Sequence, residues 1–166
     1  MRALFLGLVV LVWPAFAGRQ PDLPAEIRQA LDRHYPGWQF AELDSFNSQR
    51  LRPGERPDWV SGNLDGRGKP DYVVQIVSPA RPENWQQLVL GFIDEGKGFT
   101  TFAIDSAWKS QETYLRVNRR GTRGFDIETR RWFTYERDVL SILYNQTAGM
   151  DCPYVDGRFS CRISGD

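Results

Sequence analysis

Two cysteines, Cys152 and Cys161, stand at equal distances on either side of Asp156-Gly157. Asp-Gly is a strong signal for a two-residue type I′ turn, in which both central residues take positive φ. With that turn, Val155 faces Arg158, Tyr154 faces Phe159, Pro153 faces Ser160 and Cys152 faces Cys161. Counting outward from a hydrogen-bonded Val155/Arg158 pair, the cysteines occupy a non-hydrogen-bonded pair, where Cα atoms lie roughly 4.5 Å apart. A disulfide tolerates that spacing. The pattern predicts a C-terminal disulfide-closed hairpin, with Tyr154, Phe159 and both cysteines on a core-facing side. Pro153 falls on a hydrogen-bonded pair and has no N–H, so its strand is expected at an edge or frayed. A structural disulfide is expected in preference to a redox-active pair, and a loop this short adds only about 2–3 kcal/mol.

A disulfide implies an oxidising compartment, and the N-terminus agrees. Met1-Arg2 is followed by an apolar run, Ala3 to Val12. Trp13-Pro14 interrupts it, and Ala15-Phe16-Ala17 has a small-x-small form. Residues 1–17 are read as a signal peptide. The run is too short for a membrane span, which needs about 20 apolar residues. No cysteine directly follows residue 17 to carry a lipid, so no stable membrane anchor is expected after cleavage. Residues 18–166 are then one exported domain, periplasmic or extracellular. Lysine occurs only at Lys69, Lys97 and Lys109, while arginine is frequent, which fits a GC-rich bacterial gene. The formal net charge of +0 argues against nucleic acid as a partner. Asn145-Gln146-Thr147 matches the N-glycosylation pattern, which carries little weight in a bacterial protein.

The most distinctive internal stretch is Gly62-Asn63-Leu64-Asp65-Gly66-Arg67-Gly68-Lys69-Pro70-Asp71, followed by Tyr72-Val73-Val74-Gln75-Ile76-Val77. Oxygen-bearing side chains at Asn63, Asp65 and Asp71 run directly into an apolar strand, the layout of a loop that wraps a hard cation. The loop resembles the integrin-type FG-GAP repeat and its relatives in secreted bacterial proteins. Their loop runs roughly Asp-x-Asp-x-Asp-Gly-x-x-Asp before a strand. The resemblance, which covers about residues 60–77, implies calcium ligands at Asn63, Asp65, the carbonyl of Lys69, and Asp71. Arg67 departs from the pattern by placing a cation at a ligand position. Three readings follow, the plainest being an ordinary polar turn. In another, calcium binds weakly, because affinity tracks ligand charge and number. In the third, the Arg67 guanidinium substitutes for the ion by pairing with Asp65 and Asp71. A single loop of this kind is too little for a propeller.

Elsewhere the pattern alternates short apolar runs with turns. Pro24, Ile27, Ala30, Leu31 and Tyr35 predict a helix over about 24–35, stopped by Pro36-Gly37. Trp38, Phe40, Leu43 and Phe46 suggest a strand, 47–57 a loop, and 58–60 a short strand. Residues 72–77 read as a central strand buried on both sides. Trp85–Ile93 and a return strand with Phe99, Phe102 and Ile104 form a hairpin about 94–98. Further short strands are predicted at 114–117, 125–127, 132–136 and 139–144. The predicted class is α+β: one N-terminal helix packed on a mainly antiparallel sheet. The chain is also similar to small exported bacterial proteins of unknown function. The matching residues are Pro24, Ile27, Tyr35, Pro36, Gly37 and Trp38 at one end, and Glu136, Leu143, Tyr144, Asp156, Gly157 and Phe159 at the other. That resemblance implies architecture only.

Catalytic constellations are sparse. His34 is the sole histidine, which leaves zinc and Ser-His-Asp chemistry without ligands or a base, and helix-end capping is its expected role. Asp105, Glu112, Asp126, Glu128, Glu136 and Asp138 are acids available for hydrolysis, but no spacing selects a pair. Arg116, Arg119, Arg120, Arg123, Arg130, Arg131 and Arg137, interleaved with Trp132 and Phe133, either form solvated strands and turns or meet anionic glycans or envelope lipids. The leading expectation is a non-enzymatic module that binds a protein or envelope partner. The alternative is an envelope hydrolase using acidic residues only.

Overall fold

The computed structural model describes residues 22–52, 55–79, 86–108, 113–144 and 148–164. Residues 1–17, expected to be a signal peptide, lie outside the described residues, as do Trp85, Glu112 and the Asn145–Thr147 tripeptide. Two helices are seen, α1 (Ala25–His34) and the single-turn α2 (Ser45–Ser48). The strands are β1 (Gln39–Phe40), β2 (Trp59–Gly62), β3 (Asp71–Ser78), β4 (Gln86–Asp94), β5 (Phe99–Trp108), β6 (Thr113–Asn118), β7 (Arg123–Asp126), β8 (Arg131–Thr134), β9 (Val139–Tyr144), β10 (Ala148–Cys152), β11 (Tyr154–Val155), β12 (Arg158–Phe159) and β13 (Arg162–Ser164). No helix among the described residues is long and apolar enough to cross a membrane.

The strands form two main antiparallel sheets. The first runs β1-β3-β4-β5, with β2 also paired to β3. The second runs β13-β10-β9-β6. All residues of β3 are buried, as its continuous apolar run requires, and the pleat divides them between two cores. Val73 joins Val60, Leu64, Val89 and Ile93 against Leu115, Leu140 and Ile142 of the second sheet. Tyr72, Val74 and Ile76 join Trp59, Leu90 and Phe92 in a cluster that also contains Leu23, Ile27 and Leu31. Gln75, the polar interruption, is buried and donates through Nε2 to the Thr113 carbonyl at 2.8 Å, which links the sheets.

The C-terminal register is the predicted one. Tyr154 pairs with Phe159 and Val155 with Arg158. Asp156 (φ 51) and Gly157 (φ 77) form the turn, and Cys152–Cys161 is a disulfide with Cα atoms 4.0 Å apart. Pro153 behaves as its chemistry demands: its carbonyl accepts from the Ser160 amide at 3.0 Å and nothing is donated back. One face assignment needs correction, since Cys152 is buried but Cys161 is exposed. The same ladder continues outward through Met150–Ile163 and Gly149–Ser164, where β13 is an edge strand. The hairpin's aromatic side settles on the first sheet, with Phe159 against the backbone of Gly91. A Cβ on Gly91 would come within 2.6 Å of the Phe159 ring.

The strand predicted from Trp38 to Phe46 forms at β1 (Gln39–Phe40), and its later part gives way to α2. Asp44 caps it by accepting from the Asn47 amide at 2.7 Å, and this local capping outweighs the apolar alternation.

Candidate functional site

Two regions gather the polar residues singled out by sequence. In the loop between β2 and β3, the side-chain oxygens turn toward the loop's own donors. Asp71, fully buried at the start of β3, accepts the Leu64 and Asp65 amides at 2.8 and 3.0 Å on one oxygen, and the Asp94 amide at 3.0 Å on the other. Burial pushes its carboxyl above the usual range, and the nearby Asp65 charge adds to this against the three amides. Asn63 accepts the Gly68 amide at 2.8 Å. Asp65 accepts the Arg67 amide at 2.7 Å and also its guanidinium Nε. Arg67 therefore pairs with Asp65, and Asp71 acts on it only at longer range. Lys69 pairs through its side chain with Asp94 at 3.5 Å. Gly66 and Gly68 supply positive φ (82° and 89°), which a side chain would strain. Leu64 anchors the loop in the core between the sheets.

Calcium takes six to eight oxygens. This loop offers two carboxylates, one of them fully buried with both oxygens on amides, and a cation on the other. Among the described residues, no group of three or more His, Cys, Asp or Glu side chains converges in a metal-binding arrangement. This donor set fits a calcium site poorly.

The loop is tied to the far side of the molecule by Asp138. Its Oδ2 accepts the Asn63 amide at 3.0 Å and Arg119 Nη1 at 2.8 Å, and its Oδ1 accepts the Arg120 amide at 3.0 Å. Burial raises the Asp138 carboxyl, but these donors outweigh it and hold it below the usual range.

The second region lies around the β7–β8 hairpin. Phe125 pairs with Trp132 and Gly124 with Phe133, so the pleat sends Trp132 and Phe133 to opposite faces. Trp132 is 62% exposed. It is nevertheless held: the Arg123 guanidinium lies 4.7 Å from the Trp132 ring centroid and Phe125 packs 5.2 Å away. Phe133 contacts Tyr135 at 4.9 Å and carries Arg162 at 5.2 Å.

Below the hairpin is a buried polar network. The Tyr135 hydroxyl donates to Asp151 Oδ2 at 2.6 Å, and Ser141 Oγ donates to Asp151 Oδ1 at 2.6 Å. Asn118 donates to Tyr135 at 2.9 Å and to Ser141 at 2.7 Å. Burial, then the Asp151 carboxylate, pushes the Tyr135 hydroxyl far up, so it stays protonated. The sequence reading did not pick out Asn118, Tyr135, Ser141 or Asp151. Their partners come from β6, β9, β10 and the chain after β8, and no short spacing reveals that. The one local hint is an acid next to a core cysteine, Asp151-Cys152.

Two grooves flank this network. One, of about 500 Å³, is bordered by Arg131, Arg137 and Arg162 and equally by Asp126, Glu136 and Asp151. The other, of about 250 Å³, is bordered by Arg52, Arg116, Arg119, Arg123, Asn118 and Trp132, with no carboxylate among the described residues of its wall. The predicted acids scatter. Asp105 accepts the Tyr144 hydroxyl at 2.5 Å. Asp126 caps the β7–β8 turn through the Thr129 amide at 2.9 Å. Asp138 holds the loop, and Glu128 lies in the turn. His34 ends α1.

No protein-family model, curated protein or solved structure matches this chain.

Proposed function

We propose that residues 18–166 are an exported, non-enzymatic binding module whose partner-facing surface is the β7–β8 side. In this reading residues 1–17 direct export, α1 covers the outer face of the first sheet, and the Gly62–Asp71 loop is a structural turn that closes without an ion. The observation that carries the reading is Trp132, 62% exposed and yet held by contacts with Arg123 and Phe125. A large ring held in water by its neighbours is pre-organised for contact, because little conformational freedom remains to be lost on binding. Ile127, in the connection between β7 and β8, is 42% exposed and adds to the apolar part of the surface.

The test is co-sedimentation of the purified mature protein with isolated cell envelopes. Saturable binding that is lost in Trp132→Ala, with unchanged thermal stability, supports the module. Equal binding by wild type and Trp132→Ala removes the β7–β8 surface from the account.

A hydrolase remains the second reading because Asp126, Glu136 and Asp151 border one groove. Against it, the Thr129 amide holds the Asp126 carboxyl below its usual range, the opposite of a raised general acid. Turnover of envelope glycans that disappears in Glu136→Gln would favour the hydrolase over the module.

A further inference from the structure

We propose that the groove bordered by Arg52, Arg116, Arg119, Arg123, Asn118 and Trp132 binds a sugar ring bearing an oxyanion, such as an acidic unit of an envelope glycan. The inference rests on the binding-module reading and names the ligand class of that same surface.

Charge selects this groove over its neighbour. The larger one carries three arginines and three acids, so it offers an anion little net attraction. Among the described residues, the smaller one is bordered by four arginines and no acid. Behind its wall, Glu55 pairs with Arg116 at 3.0 Å and Asp138 with Arg119 at 2.8 Å. These two carboxylates fix where two of the guanidinium groups sit. Of these, Arg119 is 60% exposed, and a fixed, planar guanidinium suits an oxyanion, which it binds with two parallel hydrogen bonds.

Stacking adds to this. A guanidinium lying over a ring keeps its N–H donors in its own plane, directed away from the ring. The Arg123 guanidinium carbon lies over the Trp132 ring, and Phe125 contacts the same ring. The groove thus places an apolar face beside an anion-binding edge. A pyranose has the matching form, with a C–H face and a charged substituent at its rim. Size narrows the class further. Sites for drug-sized ligands run from about 300 to 1,000 Å³, so a groove of about 250 Å³ takes one sugar unit and not a large cofactor.

The experiment is a two-dimensional NMR titration of the mature, oxidised protein, following the Trp132 indole N–H and the arginine Nε–H signals. The probes are a glucuronate-containing disaccharide, its carboxyl-reduced neutral analogue, inorganic phosphate, and phosphatidylglycerol vesicles. The expected result is saturable binding of the uronate, about 10-fold or more weaker for the reduced analogue and for Arg123→Gln. Binding should weaken with rising salt. Trp132→Ala should weaken the disaccharide and leave the phosphate response in place, a split that a misfolded variant would not show.

Equal binding of the neutral analogue, a response to phosphate or vesicles alone, or no saturable response overturns the proposal. If the uronate fails while envelopes still bind through Trp132, only the ligand class falls. If envelope binding is also absent, the module reading falls with it.

Discussion

The Gly62–Asp71 loop and the β7–β8 hairpin are made of similar material: glycine, charged side chains and a turn. They use it in opposite directions. In the loop, Asn63, Asp65 and Asp71 spend their oxygens on amides of the loop and of Asp94, and Leu64 is sunk in the core. In the hairpin, Arg123 and Trp132 hold each other and face solvent. Closure of polar groups on one another stabilises a fold but leaves little for a ligand. Orientation of groups that stay exposed adds little stability and leaves them ready to bind. A sequence rich in ligand-type residues is therefore not by itself a site.

The contrast can be broken in order of expected effect. Asp71→Ala should be the most damaging change, because it strands three amide donors of which one or more would be buried. Each buried unmet donor costs about 1–3 kcal/mol, so a loss of roughly 3 kcal/mol is expected in urea unfolding. A loss below about 1 kcal/mol would mean that water replaces the carboxylate and that the loop is not closed.

Next is Tyr135→Phe, which removes one donor from the buried Asp151 and one partner from Asn118. A loss of about 1–2 kcal/mol is expected. An unchanged midpoint would move the network from the structural to the spare category.

Asp138→Asn should cost about 1 kcal/mol at neutral pH, and its pH dependence has a definite sign. The folded carboxyl lies below its unfolded value of about 3.9, so its contribution is present above that value and is lost as pH falls through the lower folded value. Wild type and variant should differ above pH ~4 and converge below it. Parallel curves throughout would show that Asp138 is not held by Asn63, Arg119 and Arg120.

The smallest effects belong to the hairpin and to calcium. Trp132→Ala should shift stability by no more than about 0.5 kcal/mol, as a surface change does. Thermal unfolding in EDTA and in millimolar calcium should be the same for wild type, while Arg67→Asp should gain calcium-dependent stability by ligand linkage. A calcium shift in wild type would replace the ion-free turn by a calcium site.

How much of this was legible in the sequence depended on how local the cause was. The hairpin register followed from Asp156-Gly157, since a two-residue turn leaves no freedom in which residues face each other. β3 was legible from an apolar run that Gln75 alone interrupts. Both rest on interactions within a few residues. The continuation of that ladder into β13, the exposure of Cys161 and the capped turn α2 were not read. Exposure and edge position depend on what another strand covers, and a cap competes with alternation that looks equally good on paper.

The sequence by itself determined the turn types, the disulfide and the burial of β3, because each follows from short-range sterics, covalent geometry or hydrophobic pattern. Only the tertiary structure decided that Asp138 reaches back to Asn63, that Tyr135 and Ser141 share Asp151, and that four arginines meet beside Trp132 on one wall. Those partners lie on separate strands or in the connections between them. No spacing along the chain brings them together; the pairing of β9 with β6 on one side and β10 on the other does.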